Sequence, residues 1–142
     1  MDNNITLLAN TYPENLRYKK FEISKEDIDR ICRFFGIGKL YKINREEEKG
    51  IDHCNPLLFM TTTEGKYVIK FYSLNLAPNI RTELLINNTL IKGCFSTPVM
   101  HTSKTGCPGI QINHRIASCF THIEGITAQR AALTKNLIST IN

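Results

Sequence analysis

No stretch of this 142-residue chain reaches the roughly 18 consecutive apolar residues that a membrane-spanning helix needs. The N-terminus carries Asp2 and no apolar run of signal-peptide type, so no membrane partner is expected. There is no C-x-x-C pair either. Cys32, Cys54, Cys94, Cys107 and Cys119 are odd in number and scattered, which fits free thiols in a reducing, cytoplasmic setting rather than a disulfide framework. His101, Cys107, His114, Cys119 and His122 share one region, but only Cys119 and His122 are closely spaced, and that does not make a zinc site. Repeats and low-complexity tracts are absent. Acids are scarce in the second half: residues 65–142 hold eight Lys/Arg against Glu83 and Glu124 alone, and the last aspartate is Asp52. Residues 1–64 hold ten Lys/Arg and eleven Asp/Glu, so the net charge of +5 comes from the second half. A basic half suits an anionic partner such as a nucleotide, a nucleic acid or an acidic domain.

With 42% hydrophobic residues the chain can fill a core, and its length suits one domain or one lobe of something larger. Residues 1–22 are polar and mixed, broken at Tyr12-Pro13, and read as a leader or surface strap. Residues 23–125 carry the structured pattern, and residues 126–142 have the apolar spacing of a short helix at most.

The clearest local signal is a helix start. Ser24 is an N-cap, Asp27 completes a capping box, and Ile23 can pack on Ile28. Ile28, Ile31, Phe34 and Phe35 then fall largely on one side, and Gly36 ends the helix. Lys39 to Asn44 alternates as a strand. The polar loop Arg45 to Asn55, containing Gly50, leads into the hairpin L-L-F-M-T-T-T-E-G-K-Y-V-I-K-F-Y from Leu57 to Tyr72, with its turn expected at Glu64-Gly65. In the second arm Tyr67, Ile69 and Phe71 share one face, and Lys66, Val68, Lys70 and Tyr72 the other. Lys70 is therefore a mid-strand lysine. A helix follows from Pro78-Asn79 to Lys92, stopped by Gly93. Ile80, Leu84, Asn87 and Ile91 lie on one of its faces, with Glu83, Ile86 and Leu90 beside them. A short strand Val99–His101, a turn from Ser103 to Gly109 and a strand Gln111–Phe120 complete the pattern. Hairpins without βαβ alternation predict an α+β fold with an antiparallel sheet.

The run G-I-D-H-C-N (Gly50 to Asn55) followed by T-T-T-E-G-K-Y-V-I-K (Thr61 to Lys70) resembles the small lobe of homoserine kinases of the aminoglycoside phosphotransferase and choline kinase superfamily, whose fold is similar to the protein kinases. The resemblance runs on through the Glu83 helix to A-S-C-F-T-H-I-E-G, covering roughly residues 24–125. It implies a five-stranded antiparallel sheet, a covering N-terminal helix, and a Glu-bearing helix between the third and fourth strands. It further implies ATP as the bound nucleotide. Lys70 would contact the α- and β-phosphates, with Glu83 holding it by an ion pair. Gly50, His53 and Asn55 would belong to the loop over the phosphates, Val68 would roof the adenine, and Thr121, His122 and Ile123 would form the hinge that reads it through the backbone.

The sequence departs from that family in one large respect. Residues 53–142 contain no aspartate for a catalytic base or for Mg²⁺, so no catalytic residue is assigned and the chain alone is expected not to transfer phosphate. The expectation is a lobe whose catalytic partner, a C-terminal lobe or complementing chain, is not among these residues. Such a lobe would expose apolar surface and self-associate. The rival reading is a small basic α+β module for nucleic acid or a protein partner, using Tyr67, Phe71 and Tyr72 beside lysines. Those aromatics fall on both strand faces, and no RNP-like run is present, so nucleic acid is the weaker expectation.

Overall fold

In a computed structural model that describes residues 4–9, 19–44 and 55–123, the first helix, α1 (Lys25–Phe35), begins where its capping residues place it. The Ser24 hydroxyl accepts the Asp27 amide at 3.1 Å, and the Asp27 carboxylate accepts the Ser24 amide at 3.4 Å. Gly36 closes the helix in the left-handed conformation at φ 64°. Ile28, Ile31, Cys32 and Phe35 are buried. Each large apolar side chain removed from water in this way contributes about 1.5–3 kcal/mol.

Two paired strands, β1 (Asn4–Ala9) and β2 (Lys19–Ser24), form an antiparallel ribbon just before α1. They occupy part of the segment expected to be a polar leader or strap. Short strands with one polar flank and a Pro-containing connection give little local signal, and their pairing is a long-range choice.

The main sheet is antiparallel and five-stranded, in the order β3 (Leu40–Ile43), β4 (Leu57–Thr62), β5 (Gly65–Ser73), β7 (Arg115–Thr121), β6 (Ile110–Ile112). The second helix, α2 (Ala77–Lys92), connects β5 to β6, so it stands between the third and fourth strands of the sheet in chain order. The fold is α+β. Among the described residues no helix is long and apolar enough to cross a membrane.

Three local expectations are corrected. The β4–β5 turn is centred on Thr63-Glu64 rather than Glu64-Gly65, since Gly65 already pairs with Thr62. Thr62 holds that tip by accepting the Glu64 amide at 3.1 Å and donating its hydroxyl to the Ile37 carbonyl. The stretch expected as one strand over Gln111–Phe120 is a hairpin, β6–β7, turned at Asn113-His114 with Asn113 at φ 54°. Finally, Val99–His101 is no full strand. It meets β7 at the single bridge Met100–Phe120, flanked by bonds from the His101 amide to the Cys119 carbonyl (2.8 Å) and from the Thr121 amide to the Val99 carbonyl (2.9 Å). β6 therefore covers the first half of the outer edge of β7, and residues 99–101 cover the second half.

The alternation along β5 sorts the core. Ile69 and Phe71 pack with Leu58, Met60, Ile112, Ala117 and Cys119 under α1. Tyr72 faces the opposite way and packs with Ile80, Met100, Leu84, Ile116 and Phe120 under α2. The sheet is thus a middle layer with a helix on either face.

Candidate functional site

The α2 side of the sheet carries Val68, Lys70 and Glu83, three of the expected site residues. Register places Phe59 opposite Val68 and Val68 opposite Phe120, an apolar rung across three strands. The next rung on that face is Leu57, Lys70 and Ser118, and Tyr72 opposite Ile116 follows. Ser118 is fully buried, and its hydroxyl donates to the Lys70 carbonyl at 3.4 Å, which fixes the strand beneath the lysine. Lys70 is half-buried, and its Nζ lies 5.0 Å from the centroid of the Tyr72 ring.

Glu83 comes to this face from α2, where it is half-buried. Its Oε2 accepts the Tyr72 hydroxyl. The expected direct ion pair between Lys70 and Glu83 is not formed; between two described residues the ion pair present is Arg30–Asp27 on α1. Both side chains do converge on one place, but Tyr72 stands between them, its ring against the ammonium and its hydroxyl on the carboxylate. Sequence reasoning places Tyr72 on the Lys70 strand face and counts it only among the aromatics of the rival reading, with no part beside Glu83. The signal is its i+2 spacing from Lys70, which puts the two on one strand face.

The helix is held in place by a second residue whose part the sequence does not reveal. Asn87 is only 6% exposed. Its Nδ2 donates to the Pro98 carbonyl at 2.6 Å, and its Oδ1 accepts the Met100 amide at 3.0 Å. One buried amide thereby ties α2 to the segment that lines the edge of β7. Next to it, Glu83, Ile86, Leu90, Thr97, Pro98 and Phe120 line an open groove of about 290 Å³.

Of the three positions expected to form a hinge, Thr121 and His122 have their amides bonded to the Val99 carbonyl and to the Lys66 carbonyl (3.0 Å). Backbone recognition by this segment would thus fall to its carbonyls and to the Ile123 amide. The His122 ring meets Phe59 edge-on at 5.6 Å, which extends the apolar rung toward the strand end. Thr121 faces the other side, its hydroxyl 2.7 Å from His101 Nε2. Asn55 sits half-buried just before β4. Gly50 and His53 lie outside the described residues, as do Glu124 and residues 126–142.

The region rich in His and Cys does not come together. Cys119 is buried under α1, His101 packs edge-on against Tyr67 at 5.4 Å, and His122 packs on Phe59. Among the described residues no group of three His, Cys, Asp or Glu side chains is placed to hold a metal ion. Burial pushes the Cys32 thiol up to about 11, with Asp29 adding to the shift, and burial raises Cys119 further still.

This face brings together an apolar rung, the Lys70 ammonium against the Tyr72 ring, and the Glu83 carboxylate on the Tyr72 hydroxyl. The sequence matches no protein-family model, and no curated protein is found to be similar to it.

Proposed function

We propose that the chain is a nucleotide-binding lobe, the ATP-binding part of a small-molecule phosphotransferase of the homoserine kinase and aminoglycoside phosphotransferase type. The observation that carries the reading is the convergence of Lys70 and Glu83 on Tyr72, next to the Phe59–Val68–Phe120 rung. Adenine would lie against Val68, and the phosphates would extend to Lys70. The helix between the third and fourth strands of a five-stranded antiparallel sheet supports the same reading.

Phosphoryl transfer also needs carboxylates for Mg²⁺ and for the acceptor hydroxyl, and residues 53–142 hold only Glu64, Glu83 and Glu124. Glu83 is engaged by Tyr72, and Glu64 lies at the hairpin turn on the far end of β5. The acids would come from a second lobe or a complementing chain, which also fits the basic second half. A reducing cytoplasmic location agrees with Cys32, Cys94, Cys107 and Cys119 all being free thiols.

The rival, an aromatic platform for single-stranded nucleic acid, has less support. Phe71 is wholly buried, Tyr72 is 5% exposed, and Tyr67 is half-buried against His101, so the three do not form an open stacking surface.

The test is lysine labelling of the whole chain with and without a non-hydrolysable ATP analogue at high concentration. Lys70 is expected to be protected selectively, with weak affinity and no turnover. Equal labelling of Lys70 in both conditions would sink the nucleotide reading. A salt-sensitive shift with an oligonucleotide instead would favour the rival, and phosphorylation of homoserine, choline or an aminoglycoside by this chain alone would overturn the need for a second lobe.

A further inference from the structure

The groove beside α2 is walled by Ile86 and Leu90 on the helix and by Pro98 and Phe120 across from them, with Glu83 at the N-terminal end of the helical wall. Ile86 is 56% exposed. Glu83, Ile86 and Leu90 stand at i, i+3 and i+7, so they follow one another along a single stripe of the helix. Glu83 is also the only acid in residues 65–123. Its Oε2 accepts the Tyr72 hydroxyl, and a carboxylate has room for further donors. An occupant that fits this wall carries one cation and two apolar side chains at helical spacing.

The end of the chain has that pattern. On a helix, Ile126, Arg130, Leu133, Leu137 and Ile141 fall on one stripe, and Arg130, Leu133 and Leu137 repeat the i, i+3, i+7 spacing of Glu83, Ile86 and Leu90. Arg130 is out of place on an otherwise apolar stripe, because a guanidinium pressed against apolar surface loses its water without gaining a partner. Against Glu83 it gains one. Residues 126–142 hold no acid, and Lys135, their other charge, falls on the opposite side of such a helix. The connection is long enough. α2 and β7 run in the same sense, with Ile80 near Ile116 at one end and Leu90 beside Phe120 at the other. From Ile123, three residues past Phe120, the chain has to return about 10 Å, the length of helix from Leu90 back to Glu83. Residues 124–129 span up to about 20 Å, and Gly125 among them suits a reversal.

We propose that residues 126–141 are the occupant of this groove: a helix laid along α2 in the same direction, with Arg130 on Glu83, Leu133 on Ile86 and Leu137 on Leu90. The segment caps the groove from within the same chain and removes its apolar wall from water. Leu85, which does not line the groove, stays open to a second molecule. The proposal stands apart from the nucleotide reading, since none of its contacts needs a ligand.

The test uses the full chain carrying Arg130→Lys, which keeps the cation and supplies an amine that a carbodiimide can join to a carboxylate. Peptide mass spectrometry should find position 130 joined to Glu83. In a mixture of ¹⁵N-labelled and unlabelled protein, both halves of that linked peptide should come from one chain. Linked peptides of mixed isotope would make a second copy the occupant and overturn the proposal, as would a position 130 that joins other acids but not Glu83. Hydrogen exchange is the second measurement. Leu137→Asp should speed exchange of the amides of residues 86–92 by about tenfold, the equivalent of one large apolar side chain lost from the groove. Exchange in α1 should not change. Faster exchange in α1 as well would tie Leu137 to the fold at large rather than to the groove, and would overturn the docking. So would α2 exchange equal to that of the wild type, whatever the cross-link shows.

Discussion

His101 shows how one side chain can set an acid limit on the fold. Burial lowers its pKa from the ordinary value of about 6.5, because the charged imidazolium loses its water against Tyr67 and Thr121. The unfolded chain therefore takes up a proton at a higher pH than the folded one does. This contribution to stability is fully present above about pH 6.5 and is lost as the pH falls from there toward the folded-state pKa. Urea unfolding followed from pH 7.5 to about 5 should show stability declining across that window. His101→Gln, which keeps a polar partner for Thr121 and has no proton to take up, should flatten the slope. An unchanged slope in that variant would assign the effect elsewhere.

At the scale of elements, the two helices end alike with different residues. In α1 the Ile37 amide reaches the Cys32 carbonyl at 3.1 Å and the Gly36 amide reaches Arg33 at 3.3 Å, a Schellman motif with glycine in the left-handed position. In α2 the Phe95 amide reaches Leu90 at 2.9 Å and the Cys94 amide reaches Ile91 at 3.0 Å, but the left-handed residue is Cys94 at φ 62°. Gly93 instead makes room for a ring, since a Cβ there would come within 3.1 Å of Phe95. Cys94→Gly should therefore stabilise the fold by about 0.5–1 kcal/mol, seen as a higher Tm, because a side chain in this conformation is strained. Asn87→Ala should act in the opposite sense, by about 2–3 kcal/mol, since it strands the Pro98 carbonyl and the Met100 amide. Faster amide exchange at Met100 would check it.

These elements also mark what can be read from residues alone. The capping box at Ser24 and the stop at Gly36 are legible because each involves neighbours within four positions. The alternation that turns Lys70 and Phe71 to opposite faces is equally local. The Asn113-His114 turn is hidden because the residues on either side alternate well enough to pass for one strand. The β1–β2 pairing and the Tyr72–Glu83 contact are not legible, since both depend on which distant segments meet. Asn87 is visible on the packing face of its helix, but its partners at Pro98 and Met100 emerge only when the edge of β7 is assembled.

Among the described residues, one side of the sheet is closed over and the other leaves large apolar side chains exposed. The face under α1 is closed over Ile28, Ile31 and Phe71, all fully buried. On the other side Leu85, Ile86 and Phe95 remain 67%, 56% and 65% exposed in and just beyond α2, next to the groove at Phe120. Apolar surface of this kind marks an interaction face. In the absence of a complementing lobe the chain should self-associate, seen as a rising weight-average mass in sedimentation as concentration increases, and Ile86→Lys should reduce it. A clean monomer at high concentration would count against the expected partner.

Because β5 runs between these two sides, its successive residues answer to different demands. A saturation-mutagenesis map of residues 67–72 should be striped. Changes at Ile69 and Phe71 would lower the yield of folded protein, whereas polar changes at Lys70 would leave yield intact and alter only what the protein retains on an anionic column. Under the nucleotide reading Tyr72 would score on both scales, since it packs under α2 and also presents its ring to Lys70.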